Sequence, residues 1–170
     1  MRNLKNKLWV ALVMGAVFLA VSCASGNLDE GADVVVTVQQ MTIPPVAGAG
    51  DGGGGCVFTV TDATAQLESQ PKSEPANTSP FNDTVINSVT ISYTWDDLAL
   101  VTPTRTFEVS GTVPVGGSAS IMFPPIAAGD LSAAFSAHTA TLSITFNGST
   151  VSGDAVTVPA GGNLTVNACI

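Results

Sequence analysis

The sequence predicts an all-β protein, an antiparallel sandwich of about seven to nine short strands. Three observations carry that expectation. Apolar and hydroxyl side chains alternate with a period of two through several segments. Pro, Gly and Asn cluster between those segments, where the chain must turn. Helical spacing is almost absent: only Leu131 and Phe135, four apart within Gly129–Ala137, suggest one helical turn in a crossover loop.

Taken in order, Asp33–Ile43 (DVVVTVQQMTI) is rich in β-branched residues and reads as a strand. Pro44–Gly55 (PPVAGAGDGGGG) reads as a flexible break. No Lys-Ser/Thr follows its Gly run, so the run reads as a linker and not as a phosphate loop. From Cys56 onward, Val57, Thr59, Thr61, Ala63, Ala65 and Leu67 share one face, with Phe58 and Val60 on the other. That pattern predicts a buried strand that becomes more exposed along its length. Pro71, Pro75 and Pro80 mark a loop. Val85, Val89, Ile91, Tyr93 and Trp95 then alternate with Ser88, Thr90, Ser92 and Thr94. Phe107, Val109, Val113 and Val115 repeat the pattern, as do Ala140, Leu142, Ile144 and Phe146. Each reads as a strand with one buried face. Asn147-Gly148 tolerates positive φ at both positions, so a type I′ hairpin is expected there, with Ser149–Val158 folding back.

An internal echo adds to this. Val113-Pro114-Val115-Gly116-Gly117 and Val158-Pro159-Ala160-Gly161-Gly162 begin two copies of V-P-x-G-G-x-x-[ST]-[IV], offset by 45 residues. Pro lacks a ladder donor and a Gly pair permits a tight reversal, so each copy is expected to be strand, turn, strand. Strand–PxGG–strand corners resemble those of bacterial Ig-like and adhesion-related sandwich modules. The resemblance implies an Ig-like sandwich. Immunoglobulin spacing itself is not met: Cys56, Trp95 and Cys169 come in the right order, but the last gap is too long.

The amino terminus carries a different message. Arg2, Lys5 and Lys7 precede an uncharged run from Leu8 to Ser22, too short at 15 residues to span a bilayer. A basic start, a short apolar run and small residues before a break form a secretory signal. The break, Leu19-Ala20-Val21-Ser22-Cys23, resembles the lipobox of bacterial lipoprotein precursors, with Ala20 where that pattern favours Leu. The resemblance implies cleavage after Ser22, a diacylglycerol on the Cys23 thiol and an acylated new amino terminus. It also implies that Ala24, not being Asp, directs the protein to the outer membrane. The expected organisation is a signal peptide over 1–22, a lipidated tether over 23–32, a strand and Gly-rich linker over 33–55, and a sandwich over 56–170.

The 148 residues after Ser22 hold two basic side chains, Lys72 and Arg105, and all 13 acidic ones, a formal charge of −11. Nucleic-acid binding needs a basic patch and is excluded as an expectation. An anionic membrane surface repels such a domain, so the lipid must supply the membrane affinity. Once Cys23 is assigned to lipid, Cys56 and Cys169 remain, and an exported compartment permits a bridge between them. It would close a loop of over a hundred residues, which chain entropy alone values at roughly 4–5 kcal/mol.

Chemistry-bearing groups are sparse. His138 is the sole histidine and heads an alternating strand, where an exposed structural role is expected. No second histidine supports zinc, Cys56 and Cys169 lack CxxC spacing, and no serine sits in a nucleophile elbow. Asp96-Asp97 follow Trp95 in WDDLALVTP and read as a solvated turn. No catalytic residue, metal or cofactor is expected. The expected function is non-catalytic: a lipid-anchored bacterial envelope module, structural or adhesion-like, that offers Gln70–Asp83 or Asp96–Pro103 to an envelope protein or polysaccharide. One alternative is an enzyme or accessory domain acting on an envelope or extracellular polymer, with Asp96, Asp97 and Asp130 as its acids. A second is a Ca²⁺ or small-molecule sensor.

Overall fold

The computed structural model describes residues 32–50, 56–73, 79–131 and 137–168. The expected signal segment, Cys23, residues 24–31 of the expected tether, residues 51–55, residues 74–78 and Cys169 lie outside the described residues. So does 132–136, most of the segment expected to hold a helical turn; just before it, Ala128–Asp130 forms a 3₁₀ turn.

The described chain is mostly strand. In order the strands are β1 (Val34–Thr42), β2 (Ala47–Gly50), β3 (Cys56–Thr59), β4 (Ala63–Pro71), β5 (Thr84–Trp95), β6 (Arg105–Val113), β7 (Ser118–Phe123), β8 (His138–Thr150) and β9 (Ala155–Val166). They form a three-stranded sheet, β1-β4-β7, a four-stranded sheet, β6-β5-β8-β9, and a small β2-β3 hairpin. Every pairing between named strands is antiparallel.

The alternation read from sequence is what buries the core. Ala65 and Leu67 of β4 and Ile121 and Phe123 of β7 turn inward from one sheet. Val89 and Ile91 of β5, Leu142, Ile144 and Phe146 of β8, and Val158 and Leu164 of β9 turn inward from the other. Phe123 and Phe146 meet edge to face across the gap, ring centroids 5.5 Å apart at 86°. Such a pair contributes about 0.5–1.5 kcal/mol beyond its buried area. A bulge between Ile86 and Ser88 shifts the phase of β5, so that Ile86 and Val89, three apart, are both fully buried.

The outer face of the four-stranded sheet carries hydroxyl groups in register. Thr106, Thr90 and Thr145 form one row across β6, β5 and β8. Ser92 lies opposite Ser143, and Thr94 opposite Thr141. Thr90 Oγ1 and Thr106 Oγ1 are 3.1 Å apart, within hydrogen-bonding distance. A chain with only 11% charged residues thus presents its solvent face through Ser and Thr.

Four local expectations are corrected. Cys56–Leu67 is not one strand that grows more exposed: it breaks between Thr59 and Ala63, and Val57 near its start is exposed while Ala63, Ala65 and Leu67 are fully buried. Asn147-Gly148 is not a turn: β8 runs through both to Thr150, and the reversal falls at Val151–Asp154, where Gly153 takes φ 103°. Gly148 instead answers the β5 bulge, since a Cβ there would lie 2.1 Å from the Val85 carbonyl oxygen. The two PxGG copies also differ. The first is a corner, with Gly116 at φ 71°, carrying the chain from β6 in one sheet to β7 in the other. The second lies wholly within β9. Finally, Ala47–Gly50, inside the expected flexible break, is a strand paired with β3.

The chain therefore has two distinct ends. Val34, Pro71, Thr84, Val113 and Ser118 lie together at the amino-terminal end, tied by a bridge between Ser69 and Val115. Trp95, Arg105, His138 and Val166 mark the far end.

Candidate functional site

The far end carries the residues that sequence reasoning singled out. Trp95 closes β5 and is buried, with its Nε1–H donating to Thr102 Oγ1 at 2.9 Å. That bond crosses the 96–104 loop and pins its exit to its start. Asp96 then serves as a clamp: its Oδ2 accepts the Thr139 N–H at 3.0 Å, and the Asp96 N–H donates to the Thr139 carbonyl at 2.9 Å. Asp96 Oδ1 accepts the Asp97 N–H and lies 3.0 Å from His138 Nδ1. The Thr139 N–H, with help from His138 and the Asp97 N–H, holds the Asp96 carboxyl below its ordinary range. Asp97 accepts the Ala99 N–H at 2.9 Å, a local turn of the kind short acids favour. His138, expected to be exposed, is half-buried, its side chain 17% accessible beside Asp96.

Asp130 is placed apart from this clamp. It receives a bidentate hydrogen bond from Arg105, with Nε–Oδ2 at 2.8 Å and Nη2 on Oδ1. Its side chain is only 8% accessible. Tyr93 lies beside this pair, and its hydroxyl donates to the Pro125 carbonyl at 3.1 Å. Burial, reinforced by the Asp130 charge, pushes the Tyr93 phenol up to about 12. The three acids of the enzyme alternative are thus each engaged by the fold. Among the described residues no group of three or more His, Cys, Asp or Glu is placed to hold a metal ion.

Beside the exposed Asp96 and Asp97, this end presents two large apolar side chains outward. Leu98 is 89% exposed and Val101 87%. Together with Tyr93, Trp95, Leu100 and Thr102 they border a shallow hollow of about 210 Å³. Sequence reasoning marked the loop but not these two side chains, because WDDLALVTP has no period that separates inward from outward positions.

A second feature was missed altogether. An open groove of about 610 Å³ runs between the outer edges of β1 and β9, from Val36 to Ile43 on one wall and Val158 to Asn163 on the other. It arises because β1 and β9 are edge strands of different sheets. Only sheet order could have revealed it.

Cys56 is disulfide-bonded. Its strand β3 pairs with β2, and the chain just before β2 meets the end of β9: the Asn167 N–H donates to the Val46 carbonyl at 3.0 Å. Cys23 and Cys169 both lie outside the described residues.

Among the described residues no helix is long and apolar enough to cross a membrane. No protein-family model, curated protein or solved structure matches this chain.

Proposed function

We propose that this chain is a lipid-anchored bacterial envelope module, non-catalytic, that binds an envelope partner through its far-end 96–104 loop. The observation that carries the reading is the pair Leu98 and Val101. Two large apolar side chains stand almost fully exposed on a loop fastened at both ends by Trp95 and Asp96. A rigid loop with an apolar tip loses little entropy on docking.

The position of the loop supports the same reading. A tether from a lipidated Cys23 would join the domain at β1, at the opposite end. Twelve-residue β5 spans about 40 Å at 3.3 Å per residue, so the tip would face away from the membrane. The strand orders β1-β4-β7 and β6-β5-β8-β9 support an Ig-like assignment, being those of the A-B-E and C′-C-F-G sheets of such sandwiches. The Asn167–Val46 contact at the base of the Cys56 hairpin supports a Cys56–Cys169 bridge. The engagement of Asp96, Asp97 and Asp130 by backbone, His138 and Arg105 favours binding over the enzyme alternative.

The test is cross-linking in intact cells. Replacing Leu98 and Val101 by Ser should remove the cross-linked species while leaving the melting temperature unchanged. An unchanged cross-linking pattern would overturn the loop assignment.

A further inference from the structure

We infer that the β1–β9 groove is a second binding site, which takes an extended polypeptide segment, uncharged or basic, as an added strand on the β9 edge. Backbone groups of both edge strands face the groove. At the end of β9 the Val46 N–H donates to the Thr165 carbonyl, and the Asn167 N–H donates back to Val46. Thr165 and Asn167 therefore turn their backbone groups away from β8. The β8–β9 register is unbroken, so Pro159, Gly161 and Asn163 turn theirs the same way.

Pro159 is informative here. Its missing N–H falls on the outward side, so the β8–β9 ladder loses no bond, as expected for proline in an edge strand. The Gly161 and Asn163 N–H groups and all three carbonyls remain, with no ladder partner among the described residues.

The opposite wall has the same character. The Lys72 N–H donates to the Asp33 carbonyl, which turns Asp33, Val35 and Thr37 toward β4 and leaves Val36 and Val38 with backbone groups outward. Met41 and Ile43 close the far end of the groove against Gly162, where a Cβ would lie 2.5 Å from Ile43 Cδ1. Two rows of outward-turned backbone groups, without a ladder partner among the described residues, thus flank an apolar floor of Val36, Val38, Val158 and Ala160.

That combination selects its occupant. Backbone donors and acceptors spaced along a strand edge are matched by another extended backbone, and the apolar floor accepts alternate apolar side chains. Val158–Asn163 spans about 20 Å, room for roughly six extended residues. Among the described residues no charged side chain lines the groove, while the chain beyond Ser22 carries −11, so a neutral or basic segment is drawn in and an acidic one repelled. The same charge opposes pairing with a second copy.

The inference does not rest on the 96–104 loop, and its test keeps the two apart. The probe is a fluorescein-labelled, acetylated and amidated octapeptide of sequence KVTVTVTK, titrated into the detergent-solubilised full chain and read by anisotropy. Saturable binding below about 1 mM is expected. Two changes should each weaken it about tenfold, the effect of one or two net hydrogen bonds: N-methylation of alternate peptide amides, and Gly161→Pro in the protein. The peptide change guards against a misfolded variant. A peptide with Glu at both ends should bind more weakly, and Leu98→Ser with Val101→Ser should change nothing. No saturable binding, or equal binding of the N-methylated peptide, would overturn the inference. So would a dimer in sedimentation that Gly161→Pro dissolves, which would make the occupant a second copy.

Discussion

Tyr93 is the only tyrosine in the chain, which makes its environment directly measurable. Burial and the Asp130 charge favour its neutral form, with a folded value of about 12. Because the folded value is raised above the ordinary 10, the associated stability is present at lower pH and is lost as pH rises from about 10 through 12. Ultraviolet titration should show phenolate forming near 12 in the folded protein and near 10 in denaturant; coincident curves would contradict the placement of Tyr93. Gly148 offers a second test at this scale. Its Cβ would collide with the Val85 backbone, which cannot swing away as a side chain can. Gly148→Ala should cost about 1–3 kcal/mol in urea unfolding, in the range of overpacked sites. Gly129→Ala, with open space around the position, should cost far less. In sequence Gly148 looks like a hairpin-turn residue. The role of Gly148 depends on a bulge in a different strand, and no local pattern encodes that.

At the scale of elements, strands whose two faces differ were legible. Leu142, Ile144 and Phe146 alternate with Thr141, Ser143 and Thr145, and the first set is buried. Elements whose form depends on a partner were not. Val113-Pro114 ends a strand while Val158-Pro159 continues one, although both lie in edge strands: after Pro114 the chain turns at Gly116 (φ 71°) toward the other sheet, whereas Pro159 stays in the ladder with its nitrogen turned outward. AGAG lacks side chains to reveal a strand, and becomes one through its pairing with CVFT. The sheet partner of Asp33–Ile43 is likewise a long-range fact, since β1 pairs with β4. The 96–104 loop yields a prediction at this scale. Asp96 is held below its ordinary value by the Thr139 N–H and His138, so its clamp is intact at neutral pH. It is lost as pH falls below the carboxylate range, through the lowered folded value. Trp95 is the only tryptophan after Ser22 and bonds across the loop, so its fluorescence should report this opening. Asp96→Asn should remove the acid transition; an unaltered transition would show that another group controls the loop.

At the scale of the whole molecule, the placement of the loop and the expected anchor bear on each other. The structure gives a face-to-face pair of sheets whose amino-terminal end holds the start of β1 and whose far end holds Leu98 and Val101. The sequence supplies the expected anchor, Leu19-Ala20-Val21-Ser22-Cys23, ten residues before Asp33. At 3.3–3.6 Å per residue, those ten residues reach about 35 Å at full extension. With −11 beyond Ser22, the domain should stand off an anionic surface, and the proposed acyl chains on Cys23 would have to supply its attachment. The candidate site was legible only as a loop with acids. Its apolar tip and the β1–β9 groove both depend on which strands end up at which edge. The most direct measurement is mass spectrometry of the mature amino terminus, combined with labelled palmitate incorporation in cells. The expected result is a chain beginning at acylated Cys23, and a Cys23→Ala protein that takes up no label and leaves the membrane fraction. A mature chain that begins elsewhere without lipid, or a Cys23→Ala protein that still incorporates palmitate, would contradict it.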